Sequence, residues 1–382
     1  MHPPLRSKPR PSGDSPTLES VISSLAPRQA YGVLCIGGDQ TLITWGSGRV
    51  IGTSDDWQSA IRQTVDAASQ PWSQGWLGWL SYEAGGQFEE MPETTHSAAE
   101  TPGVAFFRHQ GALIHHGRTQ TWTVYGDTDF KAQTRDLLEQ ATTRAPQSTP
   151  ARSTETILTT PAQEARFKRM VEEALEAIGR GEVYQVNLSW RVGPTPAPDP
   201  AASFLLLRQI NPSTRGSLVR IGAWTLLSNS PELFLDLQPK GSALCARSLP
   251  IKGTAVAHQS GARRTLQESP KERAELTMIT DLVRNDLGRV AVPGYVQASP
   301  RRIRQCGDLL HAEQEVRAEI VPTSDALDTV RACFPPGSVT GAPKVRAMQL
   351  IHELEDGPRG AYTGCIGSFF DNGAAHLSVA IR

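Results

Sequence analysis

The chain has 382 residues, with 38 Lys and Arg against 39 Asp and Glu, 38% hydrophobic residues and 20% charged ones. A formal balance of −1 argues against the basic field of a nucleic-acid or membrane-surface binder, and the composition is that of a globular protein. At about 100 to 200 residues per domain, this length gives one large two-lobed domain or two domains with a real core.

No run reaches the roughly 18 apolar residues that a membrane span needs, and the N-terminus MHPPLRSKPRPSGDSP has no apolar region for secretion. Residues 1 to 13 read as a Pro-rich, basic, disordered tail. Five cysteines, Cys35, Cys245, Cys306, Cys333 and Cys365, are odd in number and widely spaced, without a C-x-x-C pair. Neither a disulfide framework nor a zinc site is expected, and a reducing cytoplasm is.

Short strands and turns follow the tail. YGVLCIG, TLITWGSGRVIG, GWLGWLSYEAGG, VAFFRHQGALIHHG and TQTWTVYG carry aromatic or β-branched residues bounded by glycine, which predicts antiparallel hairpins. The stretch 144–156, RAPQSTPARSTET, has no apolar stripe and is the expected boundary between a lobe at 14–145 and a second at 155–382. Beyond it, Phe167, Met170, Val171, Ala174, Leu175 and Ile178 recur at helical spacing, predicting an amphipathic helix over 161–180 stopped by Gly179 and Gly181.

In VYQVNLSWRV, Tyr184, Val186, Leu188, Trp190 and Val192 alternate with Gln185, Asn187, Ser189 and Arg191, which predicts a strand with one core face and one polar face. A helix over 270–287, a helix opening at Pro343 and a closing hairpin turning at Asp371-Asn372-Gly373 complete the set. Strands joined by helices and hairpins without regular βαβ alternation give an α+β fold with largely antiparallel sheets.

Four segments carry polar groups in apolar surroundings: 228–235, 250–254, 271–289 and 334–355, followed by RGAYTGCIGSFF and HLSVAIR. Glu232 follows Pro231 in an otherwise apolar run, and a carboxyl in such surroundings has a raised pKa, as a general acid needs. The alternative is a surface Glu on an edge strand kinked by proline.

Lys252 in P-I-K-G-T is either a nucleophile, which burial or a nearby cation must help to deprotonate, or a snorkelling surface lysine. Glu272 and Glu275, one turn apart, repel unless a cation sits between them; a Lys271–Glu275 pair is the simpler reading. G-S-V-T-G-A-P-K, residues 337 to 344, fails as a phosphate loop because Pro343 removes an amide donor just before Lys344. Arg284-Asn285-Asp286 reads as a structural tie between helix and sheet. A Cys/His/Glu amidotransferase triad from Cys35, His311 and Glu313 is disfavoured, since Val33 stands where glycine is needed and Cys35 lies in a strand-like run.

Together and in this order, these segments resemble the chorismate-utilising enzymes: anthranilate synthase component I, aminodeoxychorismate synthase component I, isochorismate synthase and salicylate synthase. The resemblance is dense from about residue 161 to residue 382, and G-W-L-G-W-L-S-Y-E resembles the family's first lobe. It implies large antiparallel sheets packed as a two-lobed sandwich flanked by helices. Lys252 is characteristic of the aminodeoxychorismate synthases, where anthranilate synthases typically carry Ala. Gln185 stands where enzymes that add water carry a lysine base.

The resemblance implies amination of chorismate at C4, with Lys252 attacking C2, Glu232 protonating the departing C4 hydroxyl and ammonia then expelling the lysine. The product would feed 4-aminobenzoate and folate. His311 would sit near the reacting ring, and Gly253, Thr254, Gln185, Thr340, Tyr362 and Arg382 would contact substrate. Mg2+ would be held through Glu275, with Glu272 close by. A separate glutamine amidotransferase subunit would supply ammonia, with no nucleic-acid or membrane partner. Anthranilate synthesis, or an impaired chorismate-binding remnant, is the alternative.

Departures from the family pattern are Leu249 in the place of the arginine before P-I-K-G-T, with Arg247 two residues earlier, and Gln314 in the place of a serine. Family members also continue past the A-I-R strand into a Gly-Ala-Gly loop and a helix bringing a second metal-binding Glu. The chain is therefore expected to be a fragment or an impaired paralogue. Leu18-Glu19-Ser20 bears a faint likeness to a tryptophan-binding motif, with a helix start as the plainer reading.

Overall fold

The computed structural model describes residues 15–25, 28, 30–46, 56–66, 71–91, 101–143, 159–192, 199–241 and 243–382. The expected tail and the expected boundary at 144–156 lie outside the described residues.

Two antiparallel sheets form the body. The six-stranded sheet runs Thr121–Gly126, Gly111–His116, Gln40–Trp45, Ala30–Gly37, Ser217–Ile221, Trp224–Ser228. The eight-stranded sheet runs Ala291–Ala298, Val316–Ile320, Ala243–Leu249, Leu233–Lys240, Ala375–Val379, Cys365–Phe370, Gly75–Leu80, Val104–His109. Each sheet takes strands from both sides of residues 144–156: Ala30–Gly37 pairs with Ser217–Ile221, and Gly75–Leu80 with Cys365–Phe370.

The apolar runs explain the layering. In Val104–His109, Val104 and Phe106 join a core with the helices Pro270–Gly288 and Ala326–Cys333, while Ala105 and Phe107 join the core shared by the two sheets. A strand covered on both faces reads as a continuous hydrophobic run, not an alternating one. Leu34, Leu42, Ile114 and Val219 meet Leu77, Trp79 and Ile366 in that middle layer. The outer face of the six-stranded sheet packs on the helices Leu18–Ser23, Thr128–Thr143 and Pro200–Ile210. The result is helix, sheet, sheet, helix, the flanked sandwich expected from the sequence.

The helix Pro161–Gly179 begins with a capping box between Thr160 and Gln163, and Gly181 takes the left-handed conformation (φ 76°) just past its end. Its buried stripe is Met170, Ala174 and Ala177, leaving Leu175 and Ile178 exposed, so the predicted face is rotated towards smaller residues that let the helix lie close. The last helix is Lys344–Leu354 with Pro343 as its N-cap, one residue off the expected opening. The closing hairpin turns at 371–373 as read, with Gly373 at φ 85°.

The strand predicted over 183–192 is largely absent. Only Gln185–Val186 is extended, paired with Gly341–Ala342, and Tyr184 and Trp190 of the supposed core face are 71% and 39% exposed. No long neighbour runs alongside. Instead, the backbone is tied singly: Asn187 N–H donates to the Thr340 carbonyl, Ser189 N–H to Glu355, and Arg359 to the Asn187 carbonyl. These ties lay the segment along 339–342, beside the site.

A small sheet, Ile251–Val256, Leu309–Glu313 and Arg302–Cys306, stands beside Pro270–Gly288. The segment 334–342, bracketed by cis bonds at Phe334–Pro335 and Ala342–Pro343, lies between that helix and the Gln185 strand.

Candidate active site

Glu232 is not on a surface edge. It precedes Leu233–Lys240, is 5% exposed, and is fixed by its N–H to Ser230 Oγ (3.1 Å) and by its carbonyl, which accepts from Val379 N–H (3.2 Å). Arg304 holds the preceding Pro231 carbonyl (3.0 Å). Burial pushes the Glu232 carboxyl above the ordinary range. The Ser338 hydroxyl, the Lys252 charge, the Ile251 amide and the Arg382 charge oppose that shift. These four groups identify what surrounds the carboxyl.

Lys252 is half-buried, and its Nζ donates to the Ser338 carbonyl at 3.1 Å. The pairing of Ile251–Val256 with Leu309–Glu313 is irregular between Ile251 and Thr254, which puts Lys252 and Gly253 in the break. Such irregularities re-aim side chains at functional sites. Gly253 sits at φ 90°, and a Cβ there would lie 2.6 Å from Glu272 Oε2 and 2.8 Å from Leu266 Cδ1. Only glycine combines that backbone with that approach.

Thr254 Oγ1 lies 3.0 Å from Nδ1 of the buried His311. Burial, with the Arg382 and Arg304 charges, depresses the imidazole to about 4, so it is neutral near pH 7. Thr340 is fully buried, but its hydroxyl donates to the Pro336 and Gly337 carbonyls (3.2 and 3.3 Å), and its carbonyl takes the Asn187 amide. Gln185 pairs across Ala342, and its Oε1 is buried without a hydrogen-bond partner. Tyr362 is exposed.

Glu232 and Lys252 thus meet at Ser338, the Arg382 charge acts on both Glu232 and His311, and Thr254 bonds to His311. Glu272 touches the Lys252 strand at Gly253. Glu275 is one helical turn on and lies 3.9 Å from Lys271, the i,i+4 pair of the simpler reading. Among the described residues no three His, Cys, Asp or Glu side chains gather around a point. Two carboxylates are nevertheless a fitting donor set for Mg2+, which commonly uses one or two and completes its shell with water and ligand oxygens.

Other singled-out residues are structural. Lys344 is buried with Asp286 (2.6 Å) and the Cys333 carbonyl (2.6 Å), which accounts for the polar end of the 270–288 helix. Arg247 pairs with Asp236 and Glu315. Gln314 links Thr280 to the Ser299 carbonyl. Cys35 is buried in a strand with Arg208 on its sulfur, and burial pushes its thiol up, the opposite of an activated nucleophile. Glu313 is occupied by Arg302 and Arg304 (2.7 and 2.6 Å), so no Cys/His/Glu triad forms.

Sequence reasoning missed one network. Arg359, buried, donates to Glu355, to the Val339 carbonyl (2.9 Å), to Thr363 and to the Asn187 carbonyl. Glu83 accepts from the amides of Arg359 and Gly360 (2.6 and 3.0 Å). No local signal pointed to it, since Glu355-Asp356-Gly357-Pro358-Arg359 is a polar turn past the end of the last helix and the pairing is made by the fold.

A carboxyl held out of water beside an amine is the equipment for acid-assisted displacement on a small molecule. The family model for chorismate binding enzyme matches residues 20–382, and the chain belongs to that family. Aminodeoxychorismate synthase component 1 of Escherichia coli is 33% identical over 367 residues, covering 90% of this chain and 78% of that protein. Aminodeoxychorismate synthase of Streptomyces griseus is also 33% identical, over 85% of this chain. The chain spans 46% of that longer relative. The solved structure of anthranilate synthase component I from Streptococcus pneumoniae shares the fold, with a TM-score of 0.69, 24% identity, and coverage of 99% of this chain and 85% of that one.

Proposed function

We propose that this chain aminates chorismate at C4 to 4-amino-4-deoxychorismate, as the synthase component of an aminodeoxychorismate synthase, in the supply of 4-aminobenzoate. The observation that carries the reading is that the Lys252 amine and the buried Glu232 carboxyl both meet Ser338. Relatives named aminodeoxychorismate synthase component 1 support it.

The uncharged amine forms a bond to C2, the two ring double bonds each shift by one carbon, and the C4 oxygen leaves as water with the proton from Glu232. The carboxylate so formed can take the extra proton from the new secondary ammonium. Ammonia then bonds to C4, the double bonds shift back, and the C2 nitrogen departs, returning Lys252. The sum is chorismate and ammonia giving product and water. His311, neutral, can hydrogen-bond substrate without adding charge, and Arg382 can pair with a carboxylate. Glu272 and Glu275 would hold Mg2+, which when bound neutralises a substrate carboxylate. The word component in the relatives' names points to a partner, here read as a glutamine amidotransferase subunit.

Incubation with chorismate, ammonium chloride and Mg2+ tests this. The reading requires 4-amino-4-deoxychorismate, without the fluorescence of anthranilate, and a chorismate-derived mass increment on the protein when ammonia is withheld. Anthranilate as the product would replace this reading with the anthranilate synthase one.

A further inference from the structure

Ser338 was assigned no part above, yet both reactive groups meet it. It lies in the one-turn helix Gly337–Val339, whose backbone is pinned from three sides. A Cβ at Gly337 would lie 2.6 Å from Leu282, so the helix 270–288 abuts it directly. Thr340 Oγ1 bonds back to the Pro336 and Gly337 carbonyls, and Arg359 donates to the Val339 carbonyl. The Ser338 carbonyl is thereby fixed, and it accepts from Lys252 Nζ.

The hydroxyl has a different outlook. It is buried, has no hydrogen bond of full geometry, and lines with Glu232, Ser248 and Asp286 a cavity of about 10 Å³, room for the centre of one water molecule. A buried donor without a partner is costly, and one at a reactive centre is explained when its partner gains charge during the reaction.

We propose that Ser338 is the positioning residue for both groups: its carbonyl aims the Lys252 amine, and its hydroxyl turns to Glu232 and donates to the carboxylate left after proton transfer. The inference rests on Glu232 being the acid of the proposed reaction. The proximity of the hydroxyl already draws the carboxyl down against burial. Preorganised donors aimed at developing charge act with little reorganisation.

Replacement of Ser338 by Ala removes the hydroxyl and keeps the carbonyl. In the S338A chain kcat with ammonium should fall about tenfold to hundredfold, the worth of a hydrogen bond to a charged acceptor, with the KM for chorismate little changed. Because the acid must be protonated, losing a donor to its carboxylate moves the alkaline limb of the rate profile to higher pH. The protonated-carboxyl infrared band that E232Q removes should titrate at higher pH in S338A and return towards the parent value in S338T. That band is read without turnover, and S338C serves as a near-isosteric weak donor if S338A does not fold. An unmoved band and unchanged kcat in S338A, with E232Q inactive, overturn the inference while leaving the proposed reaction standing. Full activity in E232Q overturns the proposed reaction itself.

Discussion

Two lysines address opposite ends of one segment, and their surroundings differ in kind. Lys344 is sealed in the interior, with Asp286 at 2.6 Å and a backbone carbonyl at the same distance, both side chains about 95% buried. Lys252 is half-buried and bonds to a carbonyl, with no ion pair to Glu232, although burial pushes both acids, Glu232 and Asp286, upward. A lysine matched to a carboxylate in the interior is a structural charge, since separating the pair strands an ion. A lysine held only by a carbonyl has no ion to leave stranded, so its amine is free to bond elsewhere once deprotonated. Identical side chains thus play opposite parts because of what faces each of them.

The largest test of that contrast is Lys252→Ala. It should leave the fold intact, abolish the adduct, and reduce amination with ammonium to background; unchanged turnover would remove the nucleophile from Lys252. Glu232→Gln should follow, lowering kcat by about 10² to 10⁴, the range for a general acid. Retention of the parent rate would place the proton elsewhere.

Lys344→Met should act on stability instead. Leaving Asp286 buried without its partner costs about 3–5 kcal/mol in urea unfolding, and the double variant K344M/D286N should recover part of it. A stable K344M protein with impaired chemistry would reverse the roles assigned to the two lysines.

The smallest effect concerns pH. His311 lies at about 4 when folded against an ordinary value of 6.5, so the unfolded chain binds its proton first. The stabilisation is complete above about 6.5 and is lost as pH falls through about 4, with a slope of up to about 1.4 kcal/mol per unit. Parent and H311N chains compared in urea at pH 7 and pH 5 should diverge by this difference. Parallel behaviour would mean that the imidazole is accessible to protons when folded.

Much of the fold was legible because its signals are local. The hairpin turn at 371–373 needed only Asp-Asn-Gly between two runs, and the helix 270–288 needed only its caps and stripe. The apolar run at 104–107 carried its two-sided burial in its composition. The failure at 183–192 has a single cause: alternation reports which side chains share a face, not whether a neighbouring strand exists to make the faces. Tyr184 and Trp190 alternate well and are exposed, because only two residues find a ladder.

The site followed the same division. The residue types at 232, 252, 272 and 275 were visible as polar groups in segments singled out for them, Gly253 as a glycine beside a lysine, and His311 only through the family resemblance. Whether Glu232 was buried, and that Ser338 stood between it and Lys252, was not, since these residues come from segments 20 and 86 positions away from Lys252. By itself the chain determined its elements, its turns and the chemical inventory of its site, because each depends on neighbours within a few residues. Only the tertiary structure decided which lysine is paired and that both acids are buried, because burial and charge pairing are properties of the space that distant segments enclose together.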